Sequence, residues 1–136
     1  MYTMMEACRA TGLTYQALKF YCNEGLVPNV RRDKNNRRYF DEATVKWIKD
    51  LTCLKKCGMS IDEMKEYLAL CLDGPTSIEE RQQILARKQA ALREQMQKLQ
   101  ESIDYIKWKQ QFYSDVLAGK RPYISNLIKV TDEEES

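Results

Sequence analysis

The sequence predicts a mainly α-helical protein: a small helical head bearing one β-hairpin, then a single long helix that needs a partner. Three observations predict it. Helix start and stop signals alternate through the first 75 residues. A short, strongly basic run interrupts them once, and over residues 85–117 an apolar side chain recurs at steps of three and four. At 43% apolar and 31% charged residues the composition is that of a folded domain, not a disordered chain.

The helix starts are written in side-chain oxygens. Thr3 and Glu6 have the spacing of a capping box, in which a hydroxyl and a carboxylate three residues apart bond each other's backbone N–H groups. Ser60 with Glu63 and Ser77 with Glu80 repeat the pattern, and Thr14 and Asp41 can cap two further helices. Gly12, Gly25 before Pro28, Gly58 and Gly74-Pro75 mark stops. Helices are therefore expected near 4–11, 14–23, 41–57 and 60–72, followed by one from about 77 to 118. Between the second and third, Val30–Arg32 and Arg37–Phe40 flank the polar tetrad Asp33–Asn36. Asn tolerates the positive φ of a tight turn, so this segment reads as a β-hairpin or wing.

A short helix, a turn at Gly12-Leu13 and a second helix make a helix-turn-helix pattern. Thr14, Tyr15, Gln16 and Lys19 gather at the N-terminal end of the second helix. These residue types meet base edges and phosphates in a major groove. Leu18 and Tyr21 supply its buried side. The wing adds Arg31, Arg32, Lys34, Arg37 and Arg38, with Tyr39 between them. Residues 1–60 hold eleven Lys/Arg against six acids, on a chain whose net charge is only +2, so the basic charge is local. The plain alternative is a solvated basic face; a wing crowded with like charges directly after the helix pair favours a polyanion, double-stranded DNA.

On the long helix, Leu85, Leu92, Met96, Leu99, Ile103, Ile106, Gln110, Tyr113 and Leu117 form an a/d seam. About 40 helical residues span about 60 Å, more than a head of about 75 residues can cover. The simplest cover is the same helix of a second copy, which makes the protein a homodimer. The expected division is a head at 1–75, a dimerisation helix at 76–118 and a short tail at 119–136. In the tail, Gly119 stops the helix, Tyr123–Ile128 is apolar enough to dock on the body, and Asp132–Ser136 should fray.

Much is excluded by what the chain lacks. No apolar stretch is long enough for a membrane helix and no export signal is seen, so a cytoplasmic location is expected. The five cysteines include no CxxC pair and are read as reduced thiols. With no histidine, no nucleophile beside a placed base and no phosphate-cradling glycine loop, an enzyme is not expected, nor are a metal site or a cofactor. On a helical wheel Trp47, Ile48, Leu51 and Leu54 form the apolar stripe, whereas Cys53 falls on the far side among Lys46, Lys49 and Lys56. That placement fits an activated thiol; the alternative is a small filler packed against a partner's long helix. Cys57, one turn on, could resolve an oxidised product, although i and i+4 side chains are poorly placed for a disulfide. Cys8 and Cys71 read as core residues and Cys22 as partly exposed.

Tyr2-Thr3-Met4, Thr14 through Tyr21, Glu24-Gly25-Leu26-Val27-Pro28, Arg38-Tyr39-Phe40 and Gly58 through Glu63 together resemble the MerR family of transcription regulators over about residues 1–72. The resemblance implies a winged helix-turn-helix that binds promoter DNA and long helices that pair antiparallel. It also implies an effector site near the end of the long helix, and a dimer that distorts the promoter to alter its use by RNA polymerase. Lys19 stands at the family's basic recognition position, where Arg is usual; Tyr21 matches its phosphate-contacting tyrosine and Arg38 its wing arginine. Phe40 replaces a usual Tyr, Asn36 a usual turn Gly, and Arg37 a commonly apolar residue. Lys for Arg keeps charge but loses the bidentate fork. Residues 119–136 lack the cysteines of the family's metal sensors. Trp47-Ile48, Cys53, Gly58 and Ser60-Ile61 resemble a subgroup that answers aldehydes and other electrophiles through a cysteine, which implies Cys53 as the sensor. Two other readings stay open: a non-covalent ligand near Trp108, Phe112, Tyr113 and Tyr123, and an effector-free architectural DNA-binding protein.

Overall fold

A computed structural model describes residues 1–129; the expected fraying at Asp132–Ser136 lies outside the described residues. The order of elements is β1 (Tyr2–Thr3), α1 (Met4–Thr11), α2 (Tyr15–Asn23), β2 (Arg31–Arg32), β3 (Arg38–Phe40), α3 (Glu42–Lys56), α4 (Ile61–Asp73), a 3-10 turn (Gly74–Ser77) and α5 (Ile78–Leu117). The chain divides into two compact units, Met1–Leu92 and Arg93–Ser136, so the division falls inside α5, with its first turns belonging to the head. No helix among the described residues is long and apolar enough to cross a membrane.

Local chemistry explains the boundaries. In the first capping box the Glu6 N–H donates to Thr3 Oγ1 at 3.2 Å and the Thr3 N–H to Glu6 Oε1 at 3.0 Å. Thr14 accepts from the Ala17 N–H, Asp41 from that of Thr44, and Ser60 from that of Glu63. Gly12 closes α1 at φ 78°, a left-handed geometry that a side chain at this position would strain. The third expected capping box is absent. Ser77 is buried in the 3-10 turn, where its hydroxyl donates back to the carbonyls of Leu70 and Gly74, so it is turned away from the first N–H groups of α5.

The sheet has three short strands in the order β1-β3-β2, all antiparallel, with Tyr2 opposite Phe40 and Arg31 opposite Tyr39. The hairpin was expected; β1 was not. The turn bonds Asn36 N–H to the Asp33 carbonyl at 2.9 Å, and Asn36 takes φ 61°. Under the sheet, Phe40 joins Ala7, Leu18, Leu26, Ile48 and Leu51 in a core that excludes water from all of them. Full burial of the Phe, Leu and Ile side chains stabilises the head by about 1.5–3 kcal/mol each. Trp47 packs against that core and donates its indole N–H to the Leu26 carbonyl at 2.8 Å. The start of α5 is tied on by Lys88, whose ammonium donates to the Gly58 carbonyl at 3.2 Å and pairs with Glu63 at 3.1 Å.

In the second unit α5 buries no side chain. Met96, Leu99, Ile103, Ile106, Tyr113 and Leu117 are exposed, Leu117 to 89%. Trp108 stacks on Phe112 with ring centroids 5.9 Å apart, and Arg121 lies over the same Phe112 ring. The tail does not dock as expected: Tyr123, Ile124, Leu127 and Ile128 all remain exposed, while the Ser125 hydroxyl accepts from the Leu127 and Ile128 N–H groups.

Candidate nucleic-acid interface and thiol cleft

Because α1 turns into α2 through Gly12, the N-terminal end of α2 is presented beside the wing. One groove is lined by Thr3, Met5, Tyr15, Arg32, Arg37 and Arg38, joining side chains far apart in sequence. Thr14, Tyr15, Gln16 and Lys19 are all exposed, as are Arg31, Arg32 and Arg37. The guanidinium of Arg32 donates to the Asn36 carbonyl at 2.9 Å and so braces the wing's own turn. That of Arg38 donates to Asn23 Oδ1 at 2.7 Å, tying β3 to the last turn of α2. Asn23 was not singled out in the sequence, since nothing local marks a residue whose role is to hold an arginine 15 positions on.

Tyr21, for which the resemblance implies a contact with phosphate, faces inward in the DNA-free chain. It is 2% exposed, and its hydroxyl has no hydrogen-bond partner among the described residues. Lys55 lies 5.9 Å from its ring centroid. Its place on the inward side of α2, beside Leu18, takes it out of the exposed set.

Cys53 is exposed, as the wheel indicates. It also opens on a cleft of about 470 Å³ walled by Trp47, Asp50, Tyr67, Cys71 and Arg81. The lysines share its face of α3, and the cleft is built by three helices at once. Cys57, which caps α3, lines a different groove with Met59, Leu85 and Leu92, so it does not share the Cys53 cleft. Cys71, expected in the core, is only half-buried and faces Arg81. Burial pushes the Cys8 and Cys22 thiols up from their ordinary value.

Residues 2–71 match the family described as MerR HTH family regulatory protein, and residues 45–108 match that described as MerR, DNA binding. An uncharacterized HTH-type transcriptional regulator of Haemophilus influenzae is 32% identical over 117 residues, covering 86% of this chain and 87% of that protein. The HTH-type transcriptional regulator AdhR of Bacillus subtilis is 34% identical over 87 residues, 64% of this chain and 62% of AdhR. Among solved structures, HiNmlR, a MerR family regulator lacking the sensor domain and bound to promoter DNA, superposes with a TM-score of 0.70 at 32% identity, covering 86% of this chain and 93% of that one. A putative MerR family transcriptional regulator from Listeria monocytogenes gives 0.76 at 25% identity, covering 88% and 90%.

Proposed function

The chain belongs to the MerR family of helix-turn-helix transcriptional regulators, and from that premise we propose that it acts as a homodimer that binds and distorts promoter DNA and switches transcription by RNA polymerase when a small electrophile, an aldehyde above all, reacts at Cys53. The observation that carries the DNA half is the groove joining Tyr15 of α2 to Arg32, Arg37 and Arg38 of the wing. A helix end with hydrogen-bonding side chains enters a major groove while flanking arginines neutralise phosphates, and each neutralised phosphate releases counterions. The uncovered seam of α5 supports the dimer, since a second α5 laid antiparallel removes those side chains from water. Two copies then present two recognition helices to one duplex.

Support for the sensing half is narrower. Cys53 is an exposed thiol lining a cleft that also holds Trp47 and Tyr67, where an aldehyde carbon can accept its sulfur to form a hemithioacetal. Selection from a randomised duplex library, followed by transcription from the selected site with and without formaldehyde, tests both halves. A two-fold-related site, with output changed by the aldehyde in the unsubstituted chain and unchanged in Cys53→Ser, is the expected result. No selected duplex sinks the DNA reading. A Cys53→Ser chain that responds normally sinks the sensor and points to a non-covalent ligand at the stacked Trp108 and Phe112. Output unmoved by aldehyde in either chain points to an architectural role.

A further inference from the structure

The cleft lined by Cys53 holds a contact that neither DNA binding nor Cys53 chemistry uses. Arg81 donates from Nη1 to the Sγ of Cys71 at 3.8 Å, from Nε to the Ser77 hydroxyl at 3.1 Å and from Nη2 to the Gly74 carbonyl at 2.8 Å. Cys71 and Arg81 are both half-buried, and both line the same cleft of about 470 Å³ as Cys53. Among the described residues this is the one guanidinium within hydrogen-bonding reach of a sulfur. A small molecule entering the cleft therefore meets a nucleophilic sulfur and a bis-nitrogen nucleophile already in contact, with the guanidinium fixed by two further bonds.

We propose that Cys71 and Arg81 form a modification site for α-dicarbonyl compounds, which join the thiol and the guanidinium in one adduct. Its regulatory meaning rests on the reading of this chain as an electrophile-responsive regulator; its chemistry does not. The Cys71 sulfur adds to the aldehyde carbon: an S–C bond forms, the carbonyl π bond breaks, and the thiol proton passes to the oxygen. The two terminal nitrogens of Arg81 then bond to the two carbonyl carbons. Each carbon loses its oxygen as water, closing a five-membered aminoimidazole that carries the sulfur. Thiol, guanidinium and dicarbonyl go in; one cross-linked ring and two waters come out, the guanidinium's extra proton stays with the ring, and no oxidant or reductant is needed. Holding the two groups together raises the rate of the second step above that at an isolated arginine.

The adduct would be felt where α5 begins. Nη2 keeps one N–H as a ring nitrogen, but the ring now carries the Cys71 sulfur and turns with it, which re-aims the bond to the Gly74 carbonyl that braces the turn between α4 and α5.

The test is limiting methylglyoxal on the full chain at neutral pH, followed by trypsin and mass mapping. The expected product is the peptide of residues 66–87, uncut at Arg81, with no free thiol at Cys71 and heavier by one reagent less two waters. Its occupancy should exceed that of any other cysteine or arginine by about tenfold. Cys71→Ser should abolish the crosslink and restore cleavage at Arg81, whereas Cys53→Ser should leave the crosslink in place. Adducts spread evenly over surface arginines, or confined to Cys53, overturn the proposal, and the unsubstituted chain alone decides this. A crosslink that forms while transcription ignores aldehydes would sink the electrophile reading and leave the chemistry standing; a normal Cys53-dependent response without the crosslink sinks this site alone.

Discussion

Tyr21 carries its hydroxyl into the head without a partner among the described residues, and that placement separates two roles for one residue. A buried hydroxyl that bonds nothing costs desolvation without return, so Tyr21→Phe should leave stability unchanged or raise it by up to about 1 kcal/mol, read as the urea midpoint. DNA affinity should be unaffected; a clear loss would mean that the hydroxyl swings out to phosphate on binding. The wing arginines divide in the same manner. Arg37 is exposed, so Arg37→Ala should weaken binding evenly across sequences and lower the salt slope by about 1 without moving the melting temperature. Arg38 also holds Asn23, so Arg38→Ala should in addition cost stability, about 1 kcal/mol for a charge-assisted bond at the surface. Among the thiols, Cys53 should be alkylated before Cys8 and Cys22, which burial both shields and pushes up. Equal rates at Cys53 and Cys8 would show that exposure does not govern access.

At the scale of elements, the caps make the helices acid-sensitive. Backbone N–H groups donated by Thr3, Thr44 and Ser60 hold the Glu6, Asp41 and Glu63 carboxyls below their ordinary values, with Lys88 adding to the effect at Glu63. A carboxyl whose folded value is depressed stabilises the fold above its unfolded value and loses that contribution as pH falls through the folded one. Stability should therefore be flat near neutrality and fall as pH drops below the ordinary carboxylate range. Asp41→Asn should flatten part of that fall; an unchanged acid limb would remove Asp41 from the account. Ser60→Ala should cost about 1 kcal/mol, measured by denaturant unfolding. These caps were legible in the sequence because each is closed within four residues. The hairpin was legible for the same reason, through Asp33, which accepts from the Asn35 and Arg37 N–H groups, and Asn36, which takes the positive φ. Ser77 misleads because its hydroxyl answers to Leu70, seven residues back. The two residues of β1 are too few to show a period, and their partner lies at 39–40. The Cys53 cleft was illegible because α3, α4 and α5 each give part of its wall, and no wheel drawn on one helix contains the other two.

For the whole molecule, the exposed seam of α5 is apolar surface that asks for cover. Ile103→Lys should yield a monomer by sedimentation at concentrations where the unsubstituted chain is a dimer, with DNA affinity falling along with it. An unsubstituted chain that sediments as a monomer throughout the micromolar range would remove the dimer from the proposal. The sheet carries a consequence of another kind. Its central strand, β3, is the last of the three in the chain, and β1 is the first. During synthesis Tyr2 and Thr3 leave the ribosome early, yet they have nothing to pair with until residues 39 and 40 emerge. The hairpin of the wing can close on its own, whereas β1 joins it late and non-locally. A nascent chain halted before Arg38 should hold helical segments and still leave the amide of Tyr2 open to exchange, and protection there should appear in one step with that of the hairpin.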